Sequence, residues 1–165
     1  MHMKKALLLF SMTIVSVCTM AQKTIIHCGQ LIDVKNQTVL KEMTIITDGA
    51  VITDVKKGYS PAAAGEQLID LKKLTVMPGL IDMHVHMESE TGPANYLNGF
   101  TWNPGDYAFQ SAVFAEKTLM SGFTTVRDLG GSGVNISLRN AINKGWVKGP
   151  RVYTAGKSLA STGGH

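Results

Sequence analysis

The spacing of apolar and polar residues divides the chain after its first 21 residues into two regions. Between residues 22 and 77, short runs of strand-forming residues alternate with turn signals, and Asp48-Gly49 separates two of these runs. An Asp-Gly pair between two such runs is a strong signal for a β-hairpin. The pattern predicts a small antiparallel sheet, which needs a partner sheet for stability.

The second region, residues 78–165, shows a different periodicity. Apolar strand-like runs alternate with segments whose apolar residues recur at helical spacing. An order of strand, helix, strand, helix, strand requires parallel pairing with right-handed crossovers, so the predicted class is α/β. The predicted strands end at His86, span 123–129 and span 151–155, and the predicted helices start at Asn103-Pro104 and span 134–144. Residues 87–102 are expected to be irregular.

The glycine-rich run Gly130-Gly-Ser-Gly133 could indicate a phosphate-binding loop. It fails the dinucleotide-binding pattern, because Ile136 stands where the last glycine should be, and it lacks the Gly-Lys-Ser/Thr of a P-loop. A Lys does occur in Gly156-Lys-Ser158, but the first glycine and the following helix are missing there. A tight turn between a strand and a helix is the better interpretation.

Two histidines end the first strand of the second region. Alternate side chains of a strand share a face, so His84 and His86 are expected to point the same way, roughly 6–7 Å apart along the strand. Two imidazoles at that separation can hold one metal ion, and the alternative is a pair of satisfied core histidines. The same alternation assigns the remaining strand residues to faces: Leu80 and Asp82 with the histidines, and Ile81, Met83 and Val85 on the opposite, helix-facing side.

The first 21 residues resemble a secretory signal peptide. Lys4-Lys5 precede an apolar stretch that is too short to span a bilayer comfortably, and Thr19-Met20-Ala21 offers small residues for cleavage. We expect export to a bacterial periplasm, with a lipoprotein anchored at Cys18 as the less favoured alternative. Only Cys28 would then remain, so no intrachain disulfide could form.

Composition excludes some function classes. The chain is 44% hydrophobic and carries a net charge of +4, of which two positive charges lie in the leader. No basic run with interleaved aromatics occurs, so neither nucleic acid nor a membrane surface is an expected partner, and no membrane span is expected. His27 lies between apolar strand residues and is expected to be structural.

Several blocks of sequence together resemble the amidohydrolase superfamily. The chain ending, Ser161-Thr-Gly-Gly-His165, resembles the branch that holds imidazolonepropionase-like enzymes and Xaa-Pro dipeptidase-type peptidases. The other blocks are Pro78-Gly-Leu-Ile-Asp-Met-His-Val-His86, Gly122-Phe-Thr-Thr-Val-Arg-Asp128 and Gly149-Pro-Arg-Val152. The resemblance implies the first three βα units of a TIM (β/α)8 barrel, preceded by a small antiparallel β-sandwich region in which residues 22–77 form one half of a composite sandwich. It also implies a metal-dependent hydrolase of carbon–nitrogen bonds in dipeptides or cyclic amides.

The resemblance also assigns roles to residues. His84 and His86 match two metal ligands, which would bind one or two divalent ions, with zinc expected. His165 matches a residue at the barrel mouth that would touch substrate, whereas Arg127 and Asp128 are expected to be structural. The general base and the remaining ligands are expected beyond residue 165.

Residues 78–165 are far fewer than the about 250 residues that such a barrel takes. The chain is therefore expected to be an N-terminal fragment, inactive alone, of a protein that could form a homo-oligomer. Two alternatives stay open: a degenerate barrel that serves as a non-catalytic binding module, and a naturally short exported protein whose β region mediates association.

Overall fold

The computed structural model describes residues 23–159 and 161. The predicted leader, Met1–Ala21 with Cys18, and the predicted substrate-binding residue His165 lie outside the described residues. The chain divides into two compact units, with the boundary between Met77 and Pro78. Within the described ranges, no helix has both the length and the apolar character needed to cross a membrane.

The first unit is one four-stranded sheet with the strand order β3-β2-β1-β4. Its strands are β1 (Lys23–Asp33), β2 (Thr38–Asp48), β3 (Val51–Lys57) and β4 (Gln67–Val76). Asp48 pairs with Val51 across the turn between β2 and β3, and Gly49 there adopts a φ of 55°. Glycine takes this left-handed conformation at little cost, so the predicted hairpin is confirmed.

The sheet is mixed, so the prediction of a purely antiparallel sheet is wrong. β1 pairs antiparallel with β2 but parallel with β4. A tight turn can only reverse the chain, whereas the longer connection between β3 and β4 carries the chain to the other edge of the sheet. There β4 runs in the direction of β1.

A small core lies on one side of this sheet. Cys28 is fully buried together with Met43 and Ile45, and burial raises the pKa of the Cys28 thiol. His27 is buried as well, and its Nε2 lies 2.8 Å from the carbonyl oxygen of Ser60. These contacts agree with the structural role expected for His27.

The second unit is α/β, as predicted. Its three strands are parallel in the order β5-β6-β7, and this arrangement is compatible with part of a (β/α)8 barrel. The elements in chain order are β5 (Leu80–Val85), α1 (Asn95–Thr101), α2 (Pro104–Met120), β6 (Phe123–Asp128), α3 (Val134–Asn143) and β7 (Arg151–Thr154). Helix α1 lies in the stretch that was expected to be irregular.

Helices α2 and α3 cover one face of this sheet. Helix α2 begins as predicted, with Pro104 in its first turn and the Asp106 carboxylate accepting a hydrogen bond from the Asn103 N–H at 2.8 Å. The apolar side chains that face the sheet form one core with it. The buried members of that core are Met87, Ala115, Val126, Leu138 and Val152.

The opposite face of the sheet is open within the described residues. Ile81 and Met83 are 61% and 54% exposed, so the prediction that they face the helices is wrong. The reason is that both packed helices lie on the other side of the sheet. The open face forms a concavity of about 540 Å³, lined by Ile81, Met83, Thr125, Val126, Arg127, Arg151 and Tyr153.

Candidate metal centre

A β-bulge shapes the end of strand β5. Asp82 pairs with Val126, but the next pair joins Val85 to Asp128, so three steps along β5 match two along β6. The extra residue shifts the alternation of side chains. Met83 therefore lines the open face while Val85 packs against the helix-covered core, and the prediction that they share a face is wrong.

Asp82 supports the backbone inside this bulge. Its Oδ1 accepts a hydrogen bond from the His84 N–H at 3.0 Å. A bulge interrupts the regular ladder, so a backbone donor within it needs another acceptor. The short Asp82 side chain supplies one locally and so fixes the backbone from which the His84 ring projects.

The two histidine rings lie side by side, as predicted. Their centroids are 5.4 Å apart and their planes make an angle of 71°. Both side chains are exposed to solvent. Rings on opposite faces of the strand could not approach this closely, so His84 and His86 share one side. Among the described residues, no group of three His, Cys, Asp or Glu side chains gathers into a complete metal site.

The His86 ring is held in a defined tautomer. Its Nδ1 lies 2.7 Å from the carbonyl oxygen of Gly130, which can only accept a hydrogen bond. In the neutral ring, the proton then resides on Nδ1 and the lone pair of Nε2 is left free. Metal-binding histidines usually use this arrangement, in which one ring nitrogen donates to the protein and the other binds the ion.

A buried carboxylate lies behind this histidine. Asp128, at the end of β6, is inaccessible to solvent and accepts three hydrogen bonds. Its Oδ2 accepts from the Met87 N–H at 3.0 Å, and its Oδ1 accepts from the Gly130 N–H at 2.9 Å and from Asn135 Nδ2 at 2.9 Å. Arg127 Nε donates to the carbonyl oxygen of Met83 at 2.8 Å. Both residues thus bond within the sheet and its loops, as expected from the sequence.

Glu88 and Asn135 complete this network, and the sequence did not single them out. Glu88 is buried and accepts hydrogen bonds from the backbone N–H groups of Ser132 at 2.8 Å and Asn135 at 3.0 Å, at the start of α3. Asn135 Nδ2 also donates to the carbonyl oxygen of Gly156 at 2.9 Å. One signal was available: Asn135 shares a helix face with Leu138, and a polar residue on an apolar stripe indicates a buried hydrogen bond.

The glycine-rich run forms the turn between β6 and α3, as interpreted from the sequence. Gly130 has a φ of 129° and Gly133 one of 105°, which only glycine adopts readily. The turn supplies Gly130 to the His86 ring and Ser132 to Glu88. The turn therefore holds His86 and Glu88, which follow β5, in place.

Comparison with known proteins identifies the family to which the chain belongs. The amidohydrolase family profile matches residues 75–164, which include the histidine pair and all three strands of the second unit. The chain belongs to the amidohydrolase family. The resemblance drawn from the sequence blocks is thereby confirmed.

Individual amidohydrolases align with most of this chain, and each of them is much longer than the chain. Ochratoxinase from Aspergillus niger is 30% identical over 151 residues, which are 88% of this chain and 30% of that protein. The structure of a Xaa-Pro dipeptidase with bound methionine matches with a TM-score of 0.80 and 46% identity, over 87% of this chain and 36% of its own. The structure of a prolidase complexed with N-methylphosphonate-L-proline matches with a TM-score of 0.76 and 34% identity, over 87% of this chain and 34% of its own. The chain thus spans about a third of these relatives.

Proposed function

We propose that this amidohydrolase is a metal-dependent hydrolase of carbon–nitrogen bonds, and that His84 and His86 are two of its metal ligands. The observation that carries the proposal is the geometry of the pair. The rings lie 5.4 Å apart, and the Nδ1 of His86 is engaged by Gly130, so its Nε2 is available to an ion.

The residues present fit part of a divalent metal site. Neutral imidazole nitrogen is a good ligand for zinc, and catalytic zinc usually has three protein ligands, so the pair supplies most of such a set. When bound, the ion lowers the pKa of a water molecule and polarises the scissile carbonyl. Asp82 holds the backbone of His84, and Gly130 holds the ring of His86. The number of ions, one or two, follows from the resemblance alone.

For the substrate we propose a dipeptide, with a cyclic amide as the second candidate. The Xaa-Pro dipeptidase and the prolidase are named for dipeptide cleavage, and they match this chain at 46% and 34% identity. In the reaction, water adds to the amide carbonyl, the C–N bond breaks, and a carboxylate and an amine leave. We propose that His165 contacts the substrate. The proton acceptor is expected in the part of the relatives that this chain does not span.

The non-catalytic alternative, a degenerate barrel that only binds ligands, is not favoured. The relatives reported above are named as enzymes, and the spacing of the histidine pair is compatible with the binding of one ion. Export through the N-terminal leader, cleaved near Ala21, also stays a proposal, as does a homo-oligomer.

The experiment uses the whole protein as its gene encodes it. Metal content and hydrolysis of Xaa-Pro dipeptides, other dipeptides and cyclic amides are measured for the wild type and for His84→Ala and His86→Ala. We expect bound zinc and dipeptide turnover in the wild type, and loss of both in each variant.

The matched control is His165→Asn, which removes the third imidazole of this region. We expect this variant to retain its metal and to show a raised KM, because His165 is proposed to contact substrate rather than the ion. Full metal occupancy in the folded His84→Ala and His86→Ala variants would contradict the ligand assignment. A metal-loaded wild type without turnover on any amide would favour the binding module.

A further inference from the structure

We propose that Asp128 is a positioning residue that sets the ring orientation and the tautomer of His86. The inference rests on the proposed function, because it concerns one of the two proposed metal ligands. No hydrogen bond joins Asp128 to the imidazole. The carboxylate acts instead through two backbone groups, the N–H of Gly130 and the N–H of Met87.

The first connection runs through Gly130. Asp128 Oδ1 accepts the Gly130 N–H at 2.9 Å, and the Gly130 carbonyl oxygen lies 2.7 Å from His86 Nδ1. The carboxylate therefore fixes the residue whose carbonyl selects the tautomer. A carbonyl free to turn away would no longer favour the proton on Nδ1 over the proton on Nε2.

The second connection runs through the peptide that follows His86. Asp128 Oδ2 accepts the Met87 N–H at 3.0 Å. One rigid carboxylate thus holds both the backbone of His86 and the acceptor of its ring. The distance between these two attachments decides where the free Nε2 points.

The chemistry of the network requires a carboxylate. Asp128 is inaccessible to solvent, and three donors converge on its two oxygens. An amide of the same shape offers one oxygen and one NH₂ group. In Asp128→Asn, the NH₂ group must face either Met87 or the Gly130 and Asn135 donors, so one of the two connections breaks.

Glu88 provides a matched control in the same network. It is also a buried carboxylate, and it accepts two backbone N–H groups at the start of α3. Glu88→Gln removes the same charge from the same neighbourhood but leaves the Asp128, Gly130 and His86 connection in place. A general loss of charge or stability should therefore appear in both variants, and a change in the His86 ring only in Asp128→Asn.

The test uses the whole protein with ¹⁵N-labelled histidine. The tautomer of His86 is read from ring nitrogen shifts in the metal-free state, and the zinc dissociation constant is measured by competition with a chelator. We expect the Nδ1–H tautomer in the wild type and in Glu88→Gln. In Asp128→Asn we expect a mixture of tautomers and zinc binding weakened by about 10–100-fold, the usual cost of removing an outer-shell partner of a metal ligand.

A His86 tautomer and zinc affinity in Asp128→Asn equal to those of Glu88→Gln would overturn the proposal. If Asp128→Asn does not fold, Asn135→Ala leaves the carboxylate with only its Met87 and Gly130 donors, so its orientation is less fixed, and we expect a smaller but measurable shift towards the Nε2–H tautomer. A wild type with the proton on Nε2 would overturn the proposal without any variant. A wild type that binds no zinc contradicts the proposed function instead, and the tautomer data then still decide the role of Asp128.

Discussion

Asn135 Nδ2 donates a hydrogen bond to Asp128 Oδ1 at 2.9 Å, and both side chains are inaccessible to solvent. The same Nδ2 donates to the Gly156 carbonyl oxygen, and the Asn135 backbone N–H donates to Glu88. One residue of α3 therefore ties together the loop that follows β5, the end of β6 and the loop that follows β7. The candidate metal centre lies at this end of the sheet, so its geometry depends on this junction.

Replacement of Asn135 should loosen the junction. Asn135→Ala removes both Nδ2 hydrogen bonds and leaves the Asp128 carboxylate buried with one donor fewer. We expect a loss of about 1–3 kcal/mol in the free energy of unfolding, measured by urea denaturation of the whole protein. Asn140→Ala, at an exposed position of the same helix, is the control and should change stability by at most about 0.5 kcal/mol. An equal loss of unfolding free energy in the two variants would contradict the role of Asn135 in joining these loops.

Gly131 should not tolerate a side chain. A Cβ atom there would lie 2.7 Å from the carboxyl carbon of Glu88, which cannot retreat without losing its bonds to α3. We expect Gly131→Ala to lower the free energy of unfolding by about 1–3 kcal/mol, as overpacking does. Gly105→Ala, in the first turn of α2 with open space around it, should cause no loss. A Gly131→Ala variant as stable as the wild type would show that the loop shifts freely.

The hydroxyl of Thr44 should stabilise the first unit. Thr44 is fully buried, and its Oγ1 donates to the Gly58 carbonyl oxygen at 2.7 Å and accepts from the Ser60 N–H at 3.0 Å. Thr44→Val keeps the shape but leaves both backbone groups unpaired, so we expect a loss of about 1–3 kcal/mol in unfolding free energy. Thr44→Ser keeps the hydroxyl and should lose only about 0.8 kcal/mol for the missing methyl group. The opposite ranking would contradict the role of the hydroxyl.

Acid should weaken the turn that follows β1. The Asn36 side chain donates to Asp33 at 2.7 Å, and with the Asn36 and Lys35 N–H groups it lowers the pKa of Asp33 below its ordinary value of 3.8. A lowered pKa means that Asp33 contributes stability above pH 3.8, and that this contribution is lost as the pH falls through the folded-state value.

Asn36→Ala should therefore raise the pKa of Asp33 towards its ordinary value, as measured by NMR titration of the carboxyl group. Asp70 is the internal control. Its pKa is lowered chiefly by the backbone N–H of Lys72 and should not move in this variant. An Asp33 pKa unchanged by Asn36→Ala would show that the backbone donors alone are responsible.

Much of the fold could be predicted from the sequence because the signals are local. Asp48-Gly49 indicates a hairpin, and Asn103-Pro104 with Asp106 indicates a helix start, through interactions between residues close together in the chain. Helix α1 was missed because its seven residues bury no side chain, so its apolar residues mark no packed face. The His-x-His spacing likewise indicates a pair of neighbouring rings, because positions two apart in a strand share a face.

The sequence alone determined the family, the α/β class of the second unit and the pairing of His84 with His86. Only the tertiary structure decided that β4 runs parallel to β1, that a bulge separates Met83 from Val85, and that Asp128 holds the Gly130 backbone beside His86 while Glu88 holds the start of α3. The physical reason is sequence distance: Glu88 and Asn135 are 47 residues apart, and Met87 and Asp128 are 41 apart. No local periodicity encodes such contacts, because they arise only when packing brings the strand ends together.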